Sequence, residues 1–306
     1  MPPQERLAAL LRFIADRPGT SVAGAVRAEA QALDEQLTRD RTAEAQRLVD
    51  ETVKLADKGD LGPALDALAA IPQPMLALVA ERAAALQLRL DGELTARGVR
   101  WIPAGSFRAG EGVRARVVAV AGLFIDRTEV TAAQYARFVA ARSASPPVSW
   151  NGPTPPQDVA ALPVTEVSLR DAMAYAMWRG GRVPTAVEWE KAARGATEPR
   201  IWPWGNDEDP QACVWSGSAA AGHALAPGSA PRDVSPYGCV DMAGNVAELA
   251  LGPDGAAAAR GGSFLTQALA CTRAAFQQEL GPTDVHPAVG FRCVYEAPPP
   301  PLEGGQ

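Results

Sequence analysis

The amino-acid sequence predicts an α+β protein in which a helical hairpin region, residues 1–97, precedes an irregular domain, residues 98–296. Before residue 98 the chain has a single aromatic residue, Phe13, and is rich in Ala, Leu, Glu, Gln and Arg, which favour helices. The later region has all seven tryptophans and all four tyrosines. Its short apolar runs alternate with Gly, Pro and polar turns, a pattern typical of strands joined by loops.

The overall composition is that of a globular protein and disfavours several functional classes. The 306 residues exceed the usual size of one domain, and the mean hydropathy is -0.07. No apolar run reaches the length of a membrane span, and no signal peptide is visible at the start. A net charge of -6 without any basic run argues against nucleic acid as a partner. We therefore expect a cytoplasmic protein with no membrane span.

The cysteines argue against two common kinds of site. They lie at positions 213, 239, 271 and 293, so no pair has the C-x-x-C spacing of a zinc ribbon or a redox motif. In a cytoplasmic chain we expect them to be reduced and buried.

The first region is predicted to form four helices. Apolar spacing, prolines and glycines limit them to residues 4–16, 22–58, a short stretch between Asp60 and Pro72, and 74–95. Asp60 is the expected N-cap of the third helix. The segment 56–65 looks like the turn of a tetratricopeptide-type hairpin, although it occurs once and such units need stacked neighbours. Residues 1–95 are therefore either a docking or oligomerising arm, or a helical spacer packed against the main domain.

The second region is predicted to contain short strands and three capped helices. Apolar runs predict strands over residues 99–107, 116–125, 258–264 and 290–295. N-cap residues predict helices over residues 132–141 after Thr131, 169–179 after Ser168 and 186–194 after Thr185. Residues 146–163 are expected to form a loop, and residues 297–306 a disordered tail rich in Pro and Gly.

The stretch Ser235–Glu248 combines turn residues with two acids. Gly244 and Asn245 suit a bend with positive φ, so Asp241 and Glu248 could turn their carboxylates toward one small volume. Carboxylate and carbonyl oxygens together suit a hard cation such as calcium. The alternative is an elaborate turn whose acids face water.

Several motifs in fixed order resemble one known family. They are Ile102–Phe107, Ile125–Thr131, Pro163–Ser168, Asp171–Trp178, Gly181–Gly195, Pro203–Asn206, Ser235–Glu248, Arg260–Phe264 and Gly290–Val294. Over about residues 98–296 the chain resembles the formylglycine-generating enzyme (sulfatase-modifying factor) family. The resemblance implies an irregular α+β domain that is related to C-type lectins and often binds calcium.

The resemblance also implies a copper site that this chain does not complete. Active members hold copper with two cysteines, five residues apart, shortly after the Gly-Gly-Ser motif. Here those positions are Thr266 and Cys271. A threonine hydroxyl is a poor ligand for Cu(I), so copper is not expected and formylglycine synthesis is disfavoured. Cys271 remains a candidate catalytic residue, although a packed thiol is the simpler interpretation.

Other catalytic interpretations are weaker still. A related branch uses iron held by three histidines, but this chain has only His223 and His286, which we expect at the surface. Ser263 and Arg260 correspond to family residues near the active-site groove. No Gly-x-Ser-x-Gly elbow or nearby histidine supports nucleophilic chemistry at Ser263. We expect Arg260 to pair with a buried acid.

The calcium site can be carried over position by position. The resemblance implies side-chain ligands from Asp241 and Glu248 and backbone carbonyl ligands from Gly244 and Val246. A second calcium site of the family would need an asparagine where this chain has Cys213, so that site is expected to be lost.

Three functions follow from these observations. The first is a non-catalytic binding module that recognises a protein or peptide partner on its loop-rich face, with one structural calcium ion. The second is a divergent oxidoreductase of the same family, with Cys271 as its only active thiol. The third is an assembly subunit that oligomerises through residues 1–95.

Overall fold

A computed structural model describes residues 1–198, 200–218, 222–281 and 283–301 of the protein. The chain divides into two compact units, Met1–Gly92 and Glu93–Gln306. The division falls within helix α5 (Ala80–Arg97), whose end coincides with the predicted change of composition. Residues 302–306 of the predicted tail lie outside the described residues.

The first unit is built from helices. They are α1 (Pro3–Asp16), α2 (Ser21–Asp57), α3 (Leu61–Ala70), α4 (Gln73–Leu76) and the start of α5, with a 3-10 turn at Ala77–Val79. Helix α2 contacts α1, α3 and α4. Its buried residues Ala23, Ala30 and Leu37 recur every seven positions, so they share one face. The predicted helices are confirmed, except that the 3-10 turn interrupts the last one.

Two details of this unit bear on the predictions. Asp60 occupies the N-cap position of α3, as predicted, but its side chain makes no capping hydrogen bond. Among the described residues no single helix is long and apolar enough to cross a membrane. The pair Leu61–Ala70 and Gln73–Arg97, bent by 98°, meets that test by length and composition alone.

The second unit combines three small sheets with three helices and long loops. Its strands are β1 (Val99–Ile102), β2 (Gly105–Ala109), β3 (Arg116–Val120), β4 (Leu123–Asp126), β5 (Ala247–Leu251), β6 (Ala257–Arg260), β7 (Gln277–Leu280), β8 (Val289–Gly290) and β9 (Val294–Tyr295). The strand orders are β1-β4-β9, β2-β3 and β7-β6-β5-β8, and the β5–β8 pair is parallel. This architecture confirms the predicted irregular α+β class.

The strand predictions need two corrections. Each of the runs 99–107 and 116–125 is two strands, because the chain turns between β1 and β2 and again between β3 and β4. At the second turn a side chain on Gly122 would lie 2.6 Å from the ring of Trp101, so the turn requires glycine. Strands β5 and β7 were not expected, since β5 consists of good helix formers and β7 is polar and mostly exposed.

The three helices of this unit, α6 (Ala132–Arg142), α7 (Leu169–Trp178) and α8 (Ala186–Arg194), begin where the sequence predicts. Each starts with a capping box. Thr131 Oγ1 accepts a hydrogen bond from the N–H of Gln134, and Gln134 Oε1 accepts one from the N–H of Thr131. Ser168 and Thr185 form the same reciprocal pair with the residue three positions later.

The core of the second unit lies between α8 and the strands. Trp189 on α8 is fully buried among Ile102, Ile125, Cys239 and Met242. A second group of rings packs α6 against α7 and includes Tyr135, Phe138, Tyr175 and Phe291. The contacts of Trp189 hold α8 in place, and α8 forms one wall of the candidate site.

Candidate functional site

The turn-rich stretch Ser235–Glu248 lies in the interior of the second unit. It bends through Gly244 and Asn245, whose φ angles are 77° and 55°. Asp241 and Glu248 are 2% and 1% exposed. The predicted bend is therefore confirmed, and the alternative in which its acids face water is wrong.

Glu248 forms a buried ion pair with Arg292. Glu248 Oε1 accepts from Arg292 Nη2 at 2.6 Å, and Oε2 accepts from Arg292 Nε at 2.6 Å and from Trp189 Nε1 at 2.7 Å. Arg292 also donates to the backbone carbonyls of Asp126, Arg127 and Val240. Arg292 thus ties β4, β5 and the turn-rich stretch together. Its position in Gly290–Val294 belongs to a recognised motif, but no local sequence signal names its partner.

Three further carboxylates surround this ion pair. Burial raises the pKa of Asp241 to about 6, and it raises the pKa values of Glu129 and Asp233 well above their usual range. Among the described residues, Glu129 Oε2 and Asp233 Oδ1 are buried without a hydrogen-bond partner. Glu129 Oε1 accepts from Asn245 Nδ2 at 2.9 Å. The charge of Arg292 lowers the pKa of all three carboxyl groups, against the burial that raises it.

The calcium site implied by the resemblance needs Glu248 to offer a carboxylate oxygen to the ion. Both of its oxygens already accept hydrogen bonds from Arg292 or Trp189. In this arrangement the Glu248 carboxylate is directed at Arg292 and Trp189, so a calcium ion would have to compete with them for its oxygens. Calcium binding stays a prediction for Asp241, Gly244, Val246 and Glu248.

Asp126 provides a pH-dependent contribution to stability. Burial raises its pKa from 3.8 to about 6, against hydrogen bonds from the N–H of Cys293 at 2.8 Å and the hydroxyl of Tyr295 at 3.0 Å. The folded state therefore holds a proton that the unfolded state has released between these two pKa values. This contribution is fully present below about pH 4 and is lost as the pH rises through about 6.

We expect Asp126→Asn to remove that dependence, because the amide stays neutral. The unfolding free energy of the wild type minus that of the variant should fall by about 2 kcal/mol between about pH 4 and 7. Urea unfolding followed by tryptophan fluorescence measures it. Glu188→Gln is the control of opposite sign: burial raises the Glu188 pKa, but Arg182 and Thr185 lower it overall. For Glu188→Gln, the unfolding free energy of the wild type minus that of the variant should instead shrink as the pH falls below about 4.5. A constant difference for Asp126→Asn would contradict the expectation.

Thr266 and Cys271 both approach Gly262 closely. A side-chain carbon on Gly262 would lie 3.0 Å from Thr266 Oγ1 and 2.9 Å from the carbonyl oxygen of Cys271. Thr266 Oγ1 accepts a hydrogen bond from the N–H of Ser263 at 2.8 Å. The two positions that would carry copper ligands are therefore brought together, but one of them is a hydroxyl with a structural role.

A small cavity of about 200 Å³ opens beside these residues. Ser263, Thr266, Cys271 and His286 line it. His286 Nδ1 accepts a hydrogen bond from the N–H of Ala288 at 3.1 Å, so it is not a base for Ser263 in this arrangement. Both histidines are exposed, as predicted.

Arg260 pairs with a buried acid, as predicted. Arg260 Nη2 lies 3.0 Å from Glu190 Oε2, and the guanidinium stacks over the ring of Trp189 at 5.4 Å. Glu190 also pairs with Arg194 at 2.9 Å and accepts from the N–H of Gly110 at 2.6 Å. Arg260 therefore connects β6 to α8 and lines a second, larger cavity of about 1060 Å³ that also includes Cys271.

The remaining cysteines are buried, as predicted. Burial raises the pKa of Cys213 to about 12, and it raises those of Cys239 and Cys293. These three side chains are therefore thiols rather than thiolates at neutral pH. Cys271 is partly exposed, so the expectation that all four cysteines are buried is wrong for this residue.

Comparison with known proteins identifies relatives of this chain. The inactive C-alpha-formylglycine-generating enzyme 2 of Bos taurus is 35% identical, over 50% of this chain and 58% of the relative. The formylglycine-generating enzyme of Thermomonospora curvata is 31% identical, over 50% of this chain and 70% of the relative. The chain thus spans a little over half the length of the first of these relatives.

Two solved structures share the fold. Treponema denticola variable protein 1 aligns with a TM-score of 0.53 and 19% identity, covering 64% of this chain and 94% of that one. PvdO from Pseudomonas aeruginosa aligns with a TM-score of 0.51 and 21% identity, covering 64% and 93%. The model of the sulfatase-modifying factor enzyme 1-like domain matches residues 88–297. The chain therefore belongs to the sulfatase-modifying factor enzyme 1-like family, as a divergent member that has Thr266 and Cys271 at the positions of the cysteine pair.

Proposed function

We propose that the protein is a non-catalytic binding module that recognises a protein or peptide partner through the face containing the two cavities. Relatives named as active and as inactive are similarly distant, at 31% and 35% identity, so identity alone does not decide between them. The site does. The observation that carries the proposal is the Thr266 hydroxyl, which holds the N–H of Ser263 at the position where a copper ligand would be needed.

The chemistry of the donor set supports this proposal. Cu(I) selects soft thiolate and thioether ligands, and a lone Cys271 supplies one. The other three cysteines are buried and held as thiols. Both cavities are lined by residues from several strands and loops, so the chain has a shaped face. A shaped face without a pair of thiolate ligands suits binding better than oxidation.

Thr266→Cys tests the proposal directly, because it restores a dithiolate in one step. In competition with a chromophoric Cu(I) chelator, we expect the variant to retain copper at least about tenfold better than the wild type. Thr266→Ser, which keeps the hydroxyl, should behave like the wild type. The double variant with Cys271→Ser should lose the gain. Copper-dependent oxidation of a cysteine peptide by the wild type would overturn the proposal.

Two other functions stay open as proposals. A divergent oxidoreductase is favoured by the partial exposure of Cys271 at both cavities. Cys271→Ser would then abolish any oxygen consumption by the purified protein, and an unchanged rate would exclude this role. Assembly through residues 1–95 is favoured by exposed apolar side chains on the arm, including Leu11, Val22 and Leu88. Light scattering on the full chain would show whether it is an oligomer.

A further inference from the structure

The larger cavity has the size of a peptide site rather than an ion site. Its volume is about 1060 Å³, and its walls come from the β2–β3 hairpin, the start of α8 and residues 270–277. Pockets of several hundred to a thousand Å³ take ligands of many atoms. The cavity is therefore large enough for several consecutive side chains of a polypeptide.

Positive charge dominates the wall of this cavity. The side chains that carry charge are Arg114, Arg116, Arg260, Arg273, Glu111 and Glu190. Glu190 is already paired with Arg260 and Arg194, and Glu111 lies 3.5 Å from Arg273. In the part of the chain that the structure describes, neither Arg114 nor Arg116 forms an ion pair. A local excess of positive charge in a chain of net charge -6 attracts anionic groups.

Buried polar atoms without partners belong to the same wall. Among the described residues, the Nε atoms of Arg260 and Arg273 and the Oε1 atom of Glu111 are buried and make no hydrogen bond. The side chain of Arg260 is only 2% exposed. Buried donors without acceptors destabilise the fold, so this wall stores positive charge that the protein itself only partly satisfies.

The first turn of α8 adds to the positive electrostatic potential in the cavity. Ala186 and Val187 line the cavity at the positive end of this nine-residue helix. Backbone N–H groups at a helix start favour carboxylates and other anions. The apolar part of the wall includes Val113, which is fully exposed, and Phe276.

We propose that this cavity binds an acidic segment of a protein partner, with its carboxylates held by the exposed Arg114 and Arg116 and attracted by the charge of Arg273 and Arg260. A polypeptide fits better than a phosphate-rich ligand, because the wall joins its arginines to exposed apolar side chains that a phosphate would leave without contacts. Apolar residues beside the acids would contact Val113 and Phe276. The inference rests on the proposed binding function and names the chemistry of its ligand.

The test uses the full chain and three labelled short peptides of Gly and Leu that differ only in carrying Glu, Gln or Lys. Fluorescence anisotropy should show that the Glu peptide binds at least about tenfold more tightly than the Gln peptide. The Lys peptide should bind more weakly than either. Raising the salt concentration from about 50 to 200 mM should weaken the binding of the Glu peptide alone.

Two exposed arginines allow a clean variant. Arg114→Gln combined with Arg116→Gln should weaken the binding of the Glu peptide about tenfold, and should leave the affinity for the Gln peptide unchanged. Arg108→Gln is the matched control, because Arg108 lies on the same hairpin, is also exposed and does not line the cavity. It should bind all three peptides like the wild type. Tryptophan fluorescence confirms that each variant is folded.

The outcomes separate this inference from the proposed function. Equal binding of the Glu and Gln peptides, or an unchanged affinity in the double variant, would overturn the carboxylate inference and leave a binding module. Displacement of the Glu peptide by inorganic phosphate at about 1 mM would also overturn it, since the cavity would then be a phosphate site. Copper-dependent oxidation of a cysteine peptide would instead overturn the proposed function itself.

Discussion

Arg292→Met is expected to destabilise the second unit by about 5 kcal/mol, because it leaves the buried Glu248 carboxylate without its counter-charge. Methionine keeps most of the side-chain volume, so the loss reports charge and hydrogen bonds rather than a cavity. Arg292 is fully buried and binds both oxygens of Glu248. Without it, Asp241, whose pKa is about 6, adds to the negative charge of the same region at neutral pH.

Urea unfolding followed by tryptophan fluorescence measures this loss. All seven tryptophans lie at residue 101 or later, so the signal reports the second unit. Arg182→Met is the control, since Arg182 pairs with Glu188 but has a side chain that is 42% exposed. That pair should contribute at most about 1 kcal/mol. A loss below about 1 kcal/mol for Arg292→Met would show that the buried pair does not hold the fold.

Gly244→Ala is expected to cost about 4 kcal/mol through strain and collision together. Gly244 has a φ of 77°, which disfavours any other residue. A methyl group there would lie 2.2 Å from the backbone oxygen of Val214 and 2.9 Å from its carbonyl carbon. Because these are backbone atoms, the collision can be relieved only by moving the chain.

Gly255→Ala separates the two causes. Gly255 has nearly the same φ, 76°, but no atom lies within 4 Å of an added methyl group. It should therefore cost only the strain, about 1 kcal/mol. The same urea titration serves both variants. Equal losses for the two glycines would mean that the close approach to Val214 is not a real constraint.

Local interactions made a large part of the fold predictable. Thr131, Ser168 and Thr185 mark helix starts because a hydroxyl at one position binds the N–H three residues later, which is a property of four consecutive residues. The turn at Gly244 and Asn245 is local in the same sense. Helix α5 likewise ends at Arg97, where the composition changes.

Long-range partners were not predictable by such rules. Glu248 binds Arg292, 44 residues away, and this pairing is what occupies the carboxylate that was assigned to calcium. Strand β7 is polar and lies at the edge of its sheet beside β6, so its own sequence has no strand pattern. The larger cavity draws on five separate segments, and no motif names it. In contrast, Thr266 and Cys271 could be assigned by counting from the Gly-Gly-Ser motif, because both follow Gly262 closely in sequence and approach it in space.

The burial of three of the four cysteines gives the chain a natural reporter. Cys213, Cys239 and Cys293 are enclosed, whereas Cys271 is partly exposed and belongs to the walls of both cavities. A thiol-specific dye applied to the folded wild type will therefore attach first at one position. That label sits where a ligand must pass, so occupancy of either cavity can be followed optically without engineering a new cysteine.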